Sequence, residues 1–357
     1  MIKILNLILY IMLIVIPTLY FMYLLKSEHL VFKTFVVIMA ILSTVGILLK
    51  FNFKPYNHIF IMFILICQFF TMYIYLLFIC VWLYRCSFRF VKRKPYRFGN
   101  IVATIVAISL TIVGFHAHYD KKEVSYTVTV PKTSTVNELK ICLVSDLHLG
   151  SGNYMRQVKK LVKTVNNNNY DLVCVAGDVF DENTPKKLMN NSLKVFKNMK
   201  STYGTYWVSG NHEYYGKHTD FSVFEKYNIH FLKNKALTIN NTFNIVGFTD
   251  VESHNQYNIQ DIIKDIDPSL PTITLDHNPK RFDEHTSFTD LQLSGHTHNG
   301  QVFPGNIILS HYYKNSYGLS HTKDHYLIVS AGYGSWGFPF RLGTNCEYNT
   351  IYLKMKN

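Results

Sequence analysis

Four long apolar stretches crowd the first third of this 357-residue chain, running roughly Ile4–Leu25, Phe35–Leu49, Ile59–Tyr84 and Ile101–Phe115. A helix that crosses a bilayer needs about 20 mostly apolar residues. The first and third stretches meet that length outright. The second reaches it as Leu30–Leu49 with Lys33 snorkelling, and the fourth as Phe98–His118 with its ends at the interface. The first stretch carries Lys3 but no small-residue cleavage site, so it reads as an uncleaved span rather than a signal peptide. The expectation is a bundle of about four transmembrane helices over residues 1–119. Its simplest role is an anchor; lipid binding or sensing is the sharper alternative.

The same stretches account for the charge. The whole chain has 36 Lys+Arg against 23 Asp+Glu, a net charge of +13. Residues 1–119 hold 11 of the basic residues and one acidic residue, Glu28, which leaves 25 and 22 for the remainder. The excess therefore sits mainly in loops between apolar segments, which favours a membrane over nucleic acid as its cause. No nucleic-acid partner is expected, because the nearly balanced remainder lacks a basic groove. The densest basic loop holds Arg85, Arg89, Lys92, Arg93, Lys94 and Arg97, and positive-inside placement puts it in the cytoplasm. Everything after about Tyr119 is then extracytoplasmic, in a multi-pass protein of the cell membrane. Lys50 and Lys54, in a loop this topology places outside, oppose it.

From residue 120 onward the pattern changes to short apolar runs alternating with polar, helix-like segments. Strands are expected at Tyr126–Val130, Leu139–Ser145, Asp171–Ala176, Tyr206–Ser209, Phe243–Phe248, Thr272–Leu275, Leu291–Ser294, Tyr326–Ser330 and Tyr348–Leu353. Helical spacing covers Tyr154–Val165, stopped by the run Asn166–Asn169, and Lys186–Lys200. This alternation predicts an α/β domain over residues 120–357, with sheets covered by helices. The six cysteines form no disulfide framework or zinc pattern and read as small buried side chains.

The chemistry-bearing residues follow the predicted strands. The clusters are Asp146-Leu147-His148, Gly177-Asp178-Val179-Phe180-Asp181, Gly210-Asn211-His212-Glu213, His277 and Gly295-His296-Thr297-His298. Residues two apart in extended chain point the same way, so Asp146 and His148 are expected to face one point, as are His296 and His298. Each fragment alone is weak; Gly-Asn-His-Glu reads equally as a helix start capped by Asn211. Their order is the stronger signal, since ligands in α/β folds gather beyond the carboxyl ends of strands.

In this order the clusters resemble the full signature of the calcineurin-like metallophosphoesterases, over roughly residues 138–357. The tail Ser330-Ala331-Gly332-Tyr333-Gly334, with Pro339, Arg341 and Glu347, is similar to the membrane-associated bacterial and archaeal branch. The resemblance implies a four-layered αββα sandwich with two divalent metal ions at its rim. It assigns Asp146, His148, Asp178 and His298 to the first ion. Asp178 would bridge to the second, held also by Asn211, His277 and His296. His212 would stay off the metals and face the substrate, protonating the leaving oxygen or stabilising the phosphoryl group.

The charge balance of that implied site agrees. Two divalent cations bring four positive charges; two carboxylates and a bridging hydroxide remove three. One positive charge remains for an anionic phosphoester. Mixed oxygen and nitrogen donors favour Mn, Fe or Zn over Ca or Mg. Asp181 and Glu213 are candidates to orient the histidines, and Arg341 to contact a substrate phosphate or form a structural ion pair. Tyr333, Trp336, Phe338 and Phe340 line an apolar substrate groove, pack internally or form an interfacial belt. The expected activity is hydrolysis of a phosphodiester, phosphomonoester or pyrophosphate bond, on a substrate that the anchor suggests is lipid-linked or part of the envelope. The competing function is a membrane sensor or scaffold that keeps a metal site without turnover.

Overall fold

The computed structural model describes residues 34, 37–39, 41–42, 58–90, 99–150, 154–182, 184–216, 220–253 and 257–356. The stretch Ile4–Leu25 lies outside the described residues, as does Phe35–Leu49 except for a few helical residues. The chain divides into two compact units, Met1–His116 with Phe338–Phe340, and Ala117–Gly337 with Arg341–Asn357.

The first unit contains helices α1 (His58–Phe90) and α2 (Gly99–Tyr119). Helix α1 runs past Tyr84, so Arg85 and Arg89 belong to the helix rather than to the expected basic loop. Phe70, Ile74 and Tyr75 bury themselves against Ala103 and Ala107. The two alanines, one turn apart, let the larger residues of α1 approach closely. Much of α2 stays apolar and exposed, including Ile101, Ile105, Ile108, Ile112 and Val113. Among the described residues one helix, Ile101–Tyr119, is long and apolar enough to cross a membrane. Its 19 residues at about 1.5 Å each span about 28 Å, close to the bilayer hydrocarbon thickness. Within this unit Phe340 stacks on Phe69 with ring centroids 4.1 Å apart.

The second unit is built on two six-stranded sheets. The first has the order β1-β12-β2-β3-β4-β5, with β1 (Lys122–Val130), β2 (Glu138–Val144), β3 (Leu172–Ala176), β4 (Thr205–Val208), β5 (Ile229–Phe231) and β12 (Glu347–Met355). Strands β2 to β5 are mutually parallel, and β12 runs against β2. The second sheet has the order β10-β11-β9-β8-β7-β6, with β6 (Lys235–Ile239), β7 (Phe243–Gly247), β8 (Thr272–Leu275), β9 (Leu291–Ser294), β10 (Gly318–Thr322) and β11 (His325–Val329). Strands β7, β8, β9 and β11 are parallel, with antiparallel β6 and β10 at the edges.

Side-chain alternation along β2 sets the layers. Ile141 and Leu143 join Leu172, Val208, Ile245, Leu275 and Leu293 in the apolar layer between the sheets. Cys142 and Val144 point the other way, into a core with α3 (Tyr154–Asn167) and α4 (Lys186–Phe196). Val158, Leu161 and Val165 of α3 and Leu193 and Phe196 of α4 supply that face. The far side of the second sheet is thinner: Phe282, in α7 (Phe282–His285), covers Leu327 and Val329. The described cysteines are free, and Cys142, Cys174 and Cys346 are buried.

Candidate metal centre

Parallel strands bring their carboxyl ends to one rim, and every candidate ligand follows such an end. Asp146 and His148 follow β2, Asp178 and Asp181 follow β3, and Asn211, His212 and Glu213 form the start of α5 (Asn211–Tyr215) after β4. From the second sheet, His277 follows β8, and His296 and His298 follow β9. The cap of α5 is Gly210, so Asn211 is its first helical residue and not its cap.

The backbone that delivers these side chains is not extended. Asp146, His148, Asp178, His296 and His298 all have positive φ, between 49° and 73°. The i, i+2 pairs therefore converge because left-handed residues fold the chain back on itself, not because alternate residues of a strand share a face. Most of the remaining non-glycine residues with positive φ are asparagines, which tolerate this region. Each strained aspartate or histidine costs about 1–3 kcal/mol, the pattern expected where surrounding structure holds a functional geometry.

Four groups of donors result among the described residues: Asp146–His148–His298 and Asp178–His277–His296, with His148–Asp178–His212 and Asp181–Glu182–His212 beside them. In the first, His148 Nε2 and His298 Nε2 face each other at 2.9 Å, and Asp146 Oδ1 lies 3.4 Å from His298 Nε2. Asp178 Oδ2 is 4.0 Å from His148 Nε2 and 3.0 Å from His277 Nε2, which puts it between the groups. Asn211 Oδ1 reaches the second group through His296 Nδ1 at 2.9 Å.

The donors fit divalent cations on the structure's own terms. His277 Nδ1 lies 2.7 Å from the Ala176 carbonyl, which can only accept, so Nδ1 carries a hydrogen. Its Nε2 is buried without a hydrogen-bond partner, although Asp178 Oδ2 is 3.0 Å away. Those two atoms aim at a common point rather than at each other. Likewise His148 Nδ1 bonds Asp181 Oδ1 at 2.5 Å, which turns Nε2 toward His298.

The surroundings fix this arrangement. Asp181 orients His148 as above. Both oxygens of buried Glu213 accept backbone N–H bonds, from Asp178, Val179, Phe180 and Gly210 at 2.8–3.1 Å. This carboxylate ties the β3 and β4 ends together. A Cβ at Gly210 would collide with Asp178 Oδ1. Beside His277, Asp276 is held by the forked guanidinium of Arg281 at 2.7 and 2.9 Å. Arg341 is fully buried rather than open to a substrate phosphate, and its described contacts include no carboxylate. Its guanidinium instead donates to the carbonyls of His298, Ala331 and Gly334, each at 2.6 Å, with His298 Nδ1 3.0 Å away. Arg341 therefore holds His298 in place. The aromatic tail also splits: Tyr333 and Phe340 are buried, whereas Trp336 is exposed.

The calcineurin-like phosphoesterase family model matches residues 139–300, from β2 to the His296–His298 pair. A metallophosphoesterase of Campylobacter jejuni is 30% identical over 305 residues, covering 78% of this chain and 79% of its own length. The chain belongs to the calcineurin-like phosphoesterase family. A Helicobacter pylori metallophosphoesterase is 35% identical over 228 residues, 62% of this chain and 61% of its own length. A transmembrane protein with metallophosphoesterase domain from Bos taurus is 29% identical over 289 residues, 74% and 64% of the two chains. The chain thus spans under two thirds of the length of these last two relatives.

His212, a motif residue outside the Asp146–His148–His298 and Asp178–His277–His296 groups, has a neighbour that sequence reasoning missed. Its Nδ1 lies 3.1 Å from Glu182 Oε1, against 3.9 Å from Asp181 Oδ1, a charge contact without hydrogen-bond geometry. Glu182 sits just past the Asp178–Asp181 motif, and nothing in its spacing marks it. On its other sides the His212 ring meets His148, Tyr215 and Trp336, with centroids 4.9, 5.5 and 5.8 Å away.

Electrostatics separate the carboxylates. Burial and the Asp178 charge raise the Asp146 pKa. Asp178 is held far below the usual carboxylate range: burial opposes this, and the His277 ring outweighs it. Burial and Asp178 push Glu213 up to about 7 against the pull of its N–H donors. His148 is buried, which lowers its pKa, yet Asp181 and the neighbouring carboxylates bring it up to about 9. His296, buried and next to His277, is lowered to about 3 and is neutral. For His212, burial lowers the pKa, but Glu182 and Asp178 more than compensate and raise it.

Proposed function

We propose that this chain is a membrane-associated, dinuclear-metal-dependent hydrolase of phosphoester bonds. The observation that carries the reading is the buried, hydrogen-bond-free Nε2 of His277 facing Asp178 Oδ2 at 3.0 Å, beside a second convergent donor group. Asp146, His148, Asp178 and His298 would hold one cation, and Asp178, Asn211, His277 and His296 the other. The chemistry supplied there by bound Mn, Fe or Zn would be a lowered water pKa and compensation of charge on the phosphoester oxygens.

The chain's own residues supply the rest. His212, whose pKa the Glu182 carboxylate raises, would donate a proton to the leaving oxygen. Asp181 and Arg341 orient His148 and His298, and Glu213 fixes the two turns that carry Asp178 and Asn211. An apolar helix long enough to span a bilayer supports a lipid-linked or envelope phosphoester as substrate, and the basic residues between α1 and α2 support an extracytoplasmic site. A reporter fused after Asn357 that is active only outside the cytoplasm supports this orientation; activity inside reverses it.

The test of catalysis is turnover of bis-p-nitrophenyl phosphate by the full chain in nanodiscs, with Mn, Fe or Zn added. Metal-dependent turnover of this ester, with turnover of an alkyl phosphodiester that needs a proton donor abolished by His212→Ala, supports the hydrolase. Bound metal without turnover, unchanged by His212→Ala, supports a sensor or scaffold instead.

A further inference from the structure

Helix α8 (Gly305–Tyr312) buries none of its residues, yet half of its sequence is apolar. Ile307 and Ile308 are about half exposed, and Tyr312 is 76% exposed. Phe303, two residues before the helix, and Trp336 are about half exposed as well. A helix in a water-soluble domain normally buries its apolar stripe, and clustered exposed apolar side chains mark a surface made for a partner. Phe, Tyr and Trp beside isoleucine is the composition found where protein meets the headgroup layer of a bilayer.

The surface is tied to the end of the membrane span. His118, in the last turn of α2, is buried, and its Nδ1 lies 2.9 Å from Ser335 Oγ. The next residue is Trp336. Gln301 grips the Trp336 backbone in both directions, Nε2 donating to its carbonyl at 2.9 Å and Oε1 accepting from its N–H at 2.8 Å. Phe303 then bonds the Leu342 carbonyl at 2.8 Å, and α8 begins two residues later. The path from His118 to α8 thus runs through the side chains of His118, Ser335 and Gln301. At its midpoint Trp336 borders His212, with ring centroids 5.8 Å apart.

We infer that Phe303, Ile307, Ile308, Tyr312 and Trp336 form a membrane-seated rim. It lies in the headgroup and upper acyl region and presents the metal centre to phosphoesters held in that bilayer. Exposed Lys314, two residues beyond Tyr312, pairs with Asp283 at 3.1 Å. The activity part of this inference rests on the hydrolase reading above; the membrane placement does not.

The experiment uses the full chain in nanodiscs. Two probes are read: Trp336 by difference against Trp336→Phe, and position 308 as Ile308→Trp in the Trp336→Phe background. Lipids brominated near the top of the acyl chain should quench both probes more than deeply brominated lipids, and aqueous iodide should quench neither. Strong iodide quenching with none by either lipid overturns the rim. A second arm compares hexadecyl p-nitrophenyl phosphate in the same nanodisc with soluble bis-p-nitrophenyl phosphate. The Ile307→Asn/Ile308→Asn variant should lose at least tenfold in kcat/KM on the lipid ester and keep its rate on the soluble one, which also reports an intact fold. Equal rates on the lipid ester for variant and parent overturn the presentation role. If the parent turns over neither ester, the hydrolase reading fails while the quenching result still decides the rim.

Discussion

Glu182 Oε1 lies 3.1 Å from His212 Nδ1, and the two groups shift each other's pKa: His212 is raised, and Glu182 is lowered, first by His212. A proton donor must stay protonated until the leaving oxygen takes its charge, so activity falls as pH rises through the His212 pKa. Replacing Glu182 with Gln removes the charge that raises that pKa. The alkaline limb of the kcat profile should move to lower pH, with kcat on a poor alkyl leaving group falling about tenfold. p-Nitrophenolate leaves without protonation, so its release should change little. An unmoved alkaline limb would remove Glu182 from this role.

The 2.9 Å contact between His148 Nε2 and His298 Nε2 requires one proton between the two nitrogens. A cation taken up there must displace it. Since the carboxylates raise His148 to about 9, metal affinity should climb with pH until about that value and weaken below it. Calorimetry in buffers of different ionisation enthalpy should show at least one proton released near pH 7. Uptake with no proton released contradicts the arrangement.

Arg341 gives the stability prediction. Its guanidinium satisfies the carbonyls of His298, Ala331 and Gly334 in a fully buried site. Lysine cannot reproduce a forked donor, and each carbonyl left unpaired costs about 1–3 kcal/mol. Arg341→Lys should lower Tm by several degrees and reduce bound metal, because His298 loses its support. A phosphate-binding arginine would behave differently, with KM raised and Tm unchanged.

Gly210→Ala should abolish metal uptake at the second position and reduce turnover at least a hundredfold, because the added methyl displaces the Asp178 carboxylate. Gly337 has positive φ, but a methyl added there would meet nothing within 4 Å. Gly337→Ala should therefore alter Tm slightly and leave metal content intact, as measured by elemental analysis.

Most strands legible in the sequence are short runs buried on both faces; edge strand β1 was legible through the alternation of Tyr126, Val128 and Val130. The ones that were not, β5, β6 and β10, all lie at sheet edges. An edge strand such as Gly318–Thr322 has one neighbour and much exposed surface, so it needs no continuous apolar run. Helix α8 escaped notice for a related reason: no buried face imposes a helical period on it. The site shows the reverse pattern. The residue types and their order after strand ends were readable, but the left-handed backbone at Asp146 and His148 was not, since that conformation is imposed by packing around the turn. Glu182 was invisible because its importance comes from the fold of α5, which brings His212 back across 30 residues of sequence.

The two donor groups also share a property that concerns mechanics. Each takes side chains that follow strands of both sheets: Asp146 and His148 with His298 in one, Asp178 with His277 and His296 in the other. A cation bound in either would rivet the sandwich shut along one rim, closing long loops as a disulfide would. The strained turns that cost free energy in the bare protein would then be held by metal bonds, and the sheets could part only after the rivets broke. Resistance to slow unfolding, and to the proteases that exploit it, would be set by the supply of metal around the domain as much as by the core itself.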